Sequence, residues 1–423
     1  MSHVDLDVSR RRQAPAFGRP AGTRFRLVTP STSVWLDRIR ATAAGLVVLG
    51  HARSIIFPDW VSVPLRSRKF LLGAFYFFTG FGHEAVIVFF VLSGFLVGGN
   101  AIREAAGRSL DLRRYFAARV SRIYSVLLPA LLVGAVWDTV GLHYFGQGGV
   151  YSGHIFTGVL SVSVATRLNF STLVGNSLCL QGIAYPTFGS NGPLWSLTNE
   201  FWYYVLWPLI LIPVFGGYSN VQRAAAAATA VIVGWLLYPS VLAYGLLWGL
   251  GVLARSLPRP MLRSGVVSVA LGLGALGASR VSHLRAPVSA SPAVWEFGVD
   301  VVVAVAFSLL LNWLNCSGPG RSTSGNRVSA AFAGFSYSLY AAHLPFAILC
   351  CAAAREIVGI QLPRRAGDGK AFAIYVGLVI LAYGYCWLVS LVTERRTSAV
   401  RAALLSEVKW PRWGGPLLVG DKR

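Results

Sequence analysis

The sequence predicts an all-α protein that crosses a membrane about ten times and keeps both termini in the cytoplasm. Three observations carry that expectation. The 423-residue chain is 55% hydrophobic and 13% charged, whereas an average soluble domain is about 25% charged. Runs of about 20 apolar residues, the length that crosses a hydrocarbon core as a helix, recur along it. The lysines and arginines, which leave a net charge of +22, gather in alternate connecting segments, the distribution expected of a polytopic protein.

Residues 1–34 are polar and rich in arginine and proline, with no apolar h-region, so no cleavable signal peptide is expected. They read as a flexible basic cytoplasmic tail whose arginines orient the first helix and touch anionic lipid. Nucleic acid is not expected as a partner. Apolar runs then place spans at 36–57, 82–100, 122–142, 197–215, 222–238, 240–254, 264–279, 293–314, 329–351 and 371–393. With the N-terminus inside, cytoplasmic segments hold 25 of the 38 lysines and arginines, outer segments ten, and the first span three. The weak point is 224–254, broken at Pro239, which is short for two crossings and long for one. One crossing would put the C-terminal tail, with its seven lysines and arginines, outside, so two are expected. The chain thus divides into a tail (1–34), a membrane domain (35–393) and a cytoplasmic C-terminal tail (394–423).

The first span, LDRIRATAAGLVVLGHARSIIF, contains His51, and an ionisable group at that depth marks a functional site by default. Arg40 precedes it by eleven residues. At about 1.5 Å and 100° per residue the two share one helix face roughly 16 Å apart, with Asp37 a turn earlier. A guanidinium near one surface and an imidazole near mid-bilayer suit a site that grips an anionic carrier at its mouth and does proton or acyl chemistry within.

The second span, GHEAVIVFFVLSGFLVGGN, carries His83, Glu84 and Ser93, and its Gly94 and Gly98 form a small-xxx-small pair suited to close helix contact. The basic segment after it brings Arg113, Arg114, Arg119 and Arg122, a set of forks suited to phosphate unless it only anchors topology. In NGPLWSLTNEFWYYVLWPLI, Glu200 enters the outer end of the fourth span among Trp195, Trp202, Tyr203 and Tyr204. The aromatics read as an interfacial belt, but the carboxylate needs a partner or a wet cavity. In FSYSLYAAHLPFAI, Ser336, Tyr340 and His343 fall on one face, where a lone histidine is commonly a hydrogen-bonded packing residue. The five cysteines show no metal-ligand spacing and read as small packing residues. No Gly-x-Ser-x-Gly elbow, P-loop, dinucleotide fingerprint or zinc signature occurs.

In order, LDRIRATAAGLVVLGHA, GHEAVIVFFVLSGFLV, RVSRIY, WSLTNEFWYY and SYSLYAAHLPF resemble the motifs of the acyltransferase 3 family over about residues 33–393. The resemblance implies a multi-helix membrane domain that moves an acyl group, commonly acetyl from acetyl-CoA, to a hydroxyl of a carbohydrate or other small acceptor. The acyl-CoA is a donor substrate, and no permanently bound cofactor or metal is expected. Acceptors in the family include surface polysaccharides, lipid-linked glycans and macrolides, and the implied location is a bacterial cytoplasmic membrane. His51 matches the family's membrane histidine, Arg40 its paired arginine, Arg119 and Arg122 its arginine pair, and Glu200 its carboxylate. The extra extracytoplasmic domain of some members is not expected after the last span.

A sugar hydroxyl attacks a thioester only with help from a base, and neutral imidazole titrates in the useful range. His51 is then either that base or a transient acyl acceptor. Arg119 and Arg122, with Arg113 and Arg114, would hold the donor's phosphates, and Glu200 would orient the acceptor or pair with an arginine. Asp37, Ser93, Tyr340 and His343 are further candidates. The competing reading is a proton-coupled transporter, which the absence of an internal repeat disfavours; another is a membrane acyltransferase of lipid-length chains. The segment from His143 to Ser196 is expected to hold an interfacial or re-entrant piece near Ser171–Gln181 that helps form an acceptor groove. Oligomeric state is open.

Overall fold

A computed structural model describes residues 28–107, 110–146, 149–156, 158–237, 239–284, 292–318 and 326–407. Most of the expected N-terminal tail and the part of the C-terminal tail beyond 407 lie outside the described residues. Among the described residues the regular structure is helical. The first half runs α1 (Pro30–Ile56), α2 (Phe70–Phe78), α3 (Gly82–Ser93), α4 (Gly99–Gly107), α5 (Leu112–Phe145), α6 (Val164–Arg167), α7 (Phe170–Ser177) and α8 (Trp195–Val214). The second half runs α9 (Asn220–Leu236), α10 (Pro239–Ser256), α11 (Gly265–Leu284), α12 (Pro292–Ser317), α13 (Asn326–Ala333), α14 (Ser336–Glu356), α15 (Gly369–Val392) and α16 (Thr397–Glu407).

Seven helical stretches among the described residues are long and apolar enough to cross a membrane, and they coincide with seven of the ten expected spans. The other three expected spans are α8, α9 and α10, which fall outside that set. At about 1.5 Å per residue the 17 residues of α9 reach roughly 25 Å, short of a hydrocarbon core of about 30 Å. The first turns of α8, WSLTNE, are polar. The expected break at Pro239 is real, since α10 starts there. The span expected at 329–351 divides instead into α13 and α14, with Gly334 and Phe335 at the break.

Helix α1 is continuous from an N-cap at Thr29, whose hydroxyl accepts from the Thr32 N–H, with Pro30 in the first turn, to Ile56. Arg40 and His51 therefore stand on one unbroken helix. Between α3 and α4 the backbone widens into a π turn over Gly94–Gly98, a distortion common at functional sites. Here α10 crosses with backbone on backbone. A Cβ on Gly94 would lie 1.9 Å from the Trp248 carbonyl oxygen, and one on Gly251 1.9 Å from that of Val91. Neither obstacle is a side chain that can swing away. Gly94→Ala is therefore expected to cost about 1–3 kcal/mol as the helices part, read as a lowered denaturation midpoint; an unchanged midpoint would contradict this crossing.

The connection from α7 to α8 turns inward and carries polar side chains into the bundle. Asn176, Gln181, Ser190 and Asn191 are all buried, and each makes at least one hydrogen bond, although Gln181 Oε1 and Asn191 Oδ1 have no partner among the described residues. The Asn176 amide donates to the Thr172 and Pro186 carbonyls and its oxygen accepts from the Phe188 N–H. The Gln181 amide donates to Leu194 O and that of Asn191 to Ala341 O. Asp138 of α5, almost fully buried, accepts from both the N–H and the hydroxyl of Ser190, each at 2.7 Å. The buried amides thus run from Asn176 to Asn191, at and beyond the C-terminal end of the range expected to be re-entrant or interfacial, Ser171–Gln181. Most of that expected range is α7, with Phe170, Val174 and Leu178 exposed along its outside. Because the connection dips, α8 begins inside the protein, and this sets the depth of Glu200.

Candidate functional site

Two cavities lie along α1. The larger, about 750 Å³, is lined by Arg40, Ser93, Arg119, Arg122, Ser196, Glu200, Tyr204, Tyr337, Tyr340, Glu394, Arg395 and Arg401, among others. Five of these are arginines and two are carboxylates, so this arginine chamber is basic. The smaller, about 380 Å³, is lined by His51, Arg53, Ser54, Thr79, Gly80, His83, Trp195 and Tyr340, among others. Tyr340 and Val86 border both chambers, so a single layer of side chains separates them. The Tyr340 hydroxyl donates to Pro193 O at 2.8 Å and meets Ser196 Oγ at 2.7 Å, which ties that layer to the inward connection before α8.

Within the arginine chamber each cation is held differently. Arg40 Nη1 lies 3.2 Å from Asp37 Oδ1, so the aspartate orients the arginine and does not itself line the cavity. Arg122 Nη1 lies 3.4 Å from Glu394 Oε1, and its guanidinium sits 4.9 Å from the Tyr337 ring centre. Arg119 lies over Tyr204 at 5.7 Å, and its Nε is buried without a hydrogen-bond partner. A buried guanidinium N–H with no acceptor is costly unless a ligand supplies one. The Glu200 carboxylate accepts from the Tyr204 hydroxyl, which also meets Ser93 Oγ at 3.1 Å. Glu200, expected at the outer end of its span either to act on the acceptor or to pair with an arginine, shares the chamber of the arginines. Arg113 and Arg114 do not line it: Arg113 is exposed and donates to Leu405 O, and Arg114 pairs with Asp111 at the start of α5.

In the smaller chamber the geometry fixes a tautomer. His343 Nδ1 lies 2.8 Å from Leu339 O and 3.0 Å from Tyr340 O. Carbonyls only accept, so Nδ1 carries the proton and Nε2 of His343 holds a lone pair. His51 Nδ1 is 2.8 Å from that Nε2 and must donate to it. The rings are stacked at 5.1 Å. His51 Nε2 is left unprotonated, makes no hydrogen bond to a described residue, and belongs to a side chain that lines the chamber. His343 thus does for His51 what a carboxylate or carbonyl does for many catalytic imidazoles, fixing the ring and its proton.

The chamber has a second imidazole pairing. His83 Nε2 lies 2.9 and 3.0 Å from the two oxygens of Asp300, which is fully buried and also accepts from the Tyr244 hydroxyl at 3.2 Å. Asp300 sits inside an apolar run, so the rule that singled out His51 would have found it. Glu394, Arg395 and Arg401 gave no such signal, because they follow the last span in a stretch that reads as tail. The described cysteines are free thiols; burial pushes that of Cys179, in the connection after α7, up to about 12, far from a working nucleophile. Among the described residues no cluster of three histidine, cysteine or acidic side chains is placed to hold a metal ion.

A bundle of apolar helices with a basic chamber next to an oriented imidazole is the frame of an integral membrane group-transfer enzyme. The chain belongs to the acyltransferase 3 family: the family's model, described as an acyltransferase domain, matches residues 33–391. The family's description as an acyltransferase domain favours acyl transfer over the transporter reading. A protein of Haemophilus influenzae recorded as uncharacterized is 28% identical over 138 residues, covering 32% of this chain and 51% of that protein. The match thus spans about half the length of that relative. No solved structure matches the chain.

Proposed function

We propose that the protein moves a short acyl group, acetyl foremost, from acyl-CoA in the arginine chamber to a carbohydrate hydroxyl in the histidine chamber, with His51 as general base. The carrying observation is the lone pair on His51 Nε2, separated from the basic chamber only by the layer of Tyr340 and Val86. As the hydroxyl oxygen attacks the thioester carbonyl, Nε2 takes its proton; the thiolate leaves and receives that proton back. The coenzyme's phosphates would be held by Arg119 and Arg122, with Arg40 nearer the reacting end. Glu200 would hold the Tyr204 hydroxyl and the chamber's shape rather than meet the acceptor. The N-terminal part of α1 and the helix after the last span both border the arginine chamber, which supports placing both ends, and the coenzyme, on the cytoplasmic side of a bacterial membrane. The acceptor would be a surface polysaccharide or lipid-linked glycan, with a macrolide-like small molecule as the alternative.

Transfer of radiolabelled acetyl from acetyl-CoA to extractable glycan, in membranes bearing wild type or variants, tests this reading. Arg119→Ala is expected to raise KM for acetyl-CoA about 10–100-fold with a smaller change in kcat, the worth of a charge-assisted hydrogen bond of roughly 1.5–3 kcal/mol. An unchanged KM would remove Arg119 from donor binding. Label retained on denatured protein, and lost in His51→Gln, would instead make His51 an acyl carrier.

A further inference from the structure

The smaller chamber holds more positive charge than its base needs. Arg53 follows His51 by two residues and lines the same cavity. It donates to Ser54 Oγ at 3.1 Å and rests 5.1 Å from the Tyr76 ring centre, yet its Nε is buried with no hydrogen-bond partner. Arg280 of α11 reaches the same wall from another element. Its guanidinium lies against Gly80, a lining residue, so closely that a Cβ there would be 2.1 Å from its Nη2. The glycine leaves the room that this cation occupies. Arg280 Nε is also buried without an acceptor among the described residues, and its guanidinium lies 5.9 Å from the Phe81 ring centre.

Among the described residues no aspartate or glutamate lines the chamber. The nearby carboxylates have partners other than these arginines: Asp300 holds His83, itself a lining residue, and Tyr244, and Glu84 accepts from Ser279. Asp59 lies by the Gly158 rim and forms no ion pair with Arg53 among the described residues. Arginines kept only for packing would be expected to meet a carboxylate or a carbonyl, since a buried N–H without an acceptor is destabilising. One such fork lining the chamber and a second standing directly behind its Gly80 wall match a planar or tetrahedral oxyanion.

We propose that Arg53 and Arg280 bind an oxyanion on the acceptor, a carboxylate or a phosphate, and thereby set its hydroxyl at His51. The inference rests on the acyl-transfer reading for its meaning, and its substrate class is an acidic glycan such as a uronic-acid or phosphate-bearing one. The neutral sugar with the same hydroxyls would lack the anchor.

The test is protection of the full-length protein from phenylglyoxal, read arginine by arginine by peptide mass spectrometry, in maltoside detergent and in anionic-lipid nanodiscs. Sodium D-glucuronate or inorganic phosphate is expected to slow modification of Arg53 and Arg280 about tenfold, the worth of one charge-assisted hydrogen bond, and D-glucose is expected to have no effect. The two anions separate carboxylate from phosphate recognition. Failure of both anions, equal protection by glucose, or full protection by nanodisc lipid alone overturns the proposal. So does resistance of both arginines without any probe, which would mean they are closed to the chamber. In Arg53→Gln, protection of Arg280 by the anion should fall; if it persists, the two do not act as one site. Coenzyme A protection of Arg119 in the same samples reads the donor chamber separately, so a failure of the acyl-transfer reading is not mistaken for a failure here.

Discussion

His51→Ala is expected to lower acetyl transfer about 10²–10⁴-fold, the usual worth of a positioned general base, with little change in KM for acetyl-CoA. The split follows from placement: the imidazole lines the smaller chamber, whereas the arginines line the larger. His343→Ala supplies the companion result. Its Nε2 is the acceptor for the His51 Nδ1 proton, so without it the imidazole has no fixed tautomer and no fixed orientation. A loss of roughly 10–100-fold is expected, the scale seen when a partner that orients a functional histidine is removed. His343→Gln should recover part of that loss, because a Gln carbonyl can accept the same proton. Rates would be measured on the radiolabelled product at equal expression, with the denaturation midpoint of each variant as control. Full activity in His51→Ala would remove the base from the mechanism. Equal rates for wild type and His343→Ala would leave His51 as base but remove the relay.

Much of this site was legible because a membrane penalises charge. His51, Arg40, Arg119 and Arg122 stood out as ionisable groups in or beside apolar runs, and the close glycine crossing at Gly94 followed from spacing. The pairing of His51 with His343 joins residues 292 positions apart, which periodicity on either helix cannot reveal. That Glu200 shares a cavity with Arg40, Arg119 and Arg122 could not be read from its own run, because the cavity joins side chains of several helices. The connection before α8, held by Asp138 and a set of buried amides, helps to place it there. Arg113 and Arg114 show the converse. Composition makes them equal to Arg119 and Arg122, and only the later turns of α5 that border the cavity tell them apart.

Glu394→Ala is expected to destabilise the protein by about 2–3 kcal/mol, a loss that no feature of the TERR stretch announces. One oxygen of this carboxylate faces Arg122 Nη1 at 3.4 Å. The other accepts from the N–H groups of Tyr337 and Ser338, both at 3.2 Å, in the first turn of α14. Glu394 therefore caps the helix that carries Tyr340 and His343, and places a negative charge where the helix dipole favours one. Loss of a cap costs about 1 kcal/mol. Breaking a fully buried ion pair costs about 3–5 kcal/mol, but the Arg122 side chain is 34% exposed, so solvent screening brings that part down to about 1–2 kcal/mol. Glu394→Gln keeps an acceptor for the helix N–H groups and should lose only the ionic part. Coenzyme A should bind Glu394→Gln at least as tightly as wild type, because the removed charge competes with phosphate for Arg122. Denaturation midpoints with and without coenzyme A check both halves. A Glu394→Ala protein as stable as wild type would contradict the capping role, and a Glu394→Gln protein that binds the coenzyme more weakly would make Glu394 part of the donor site rather than a competitor for it.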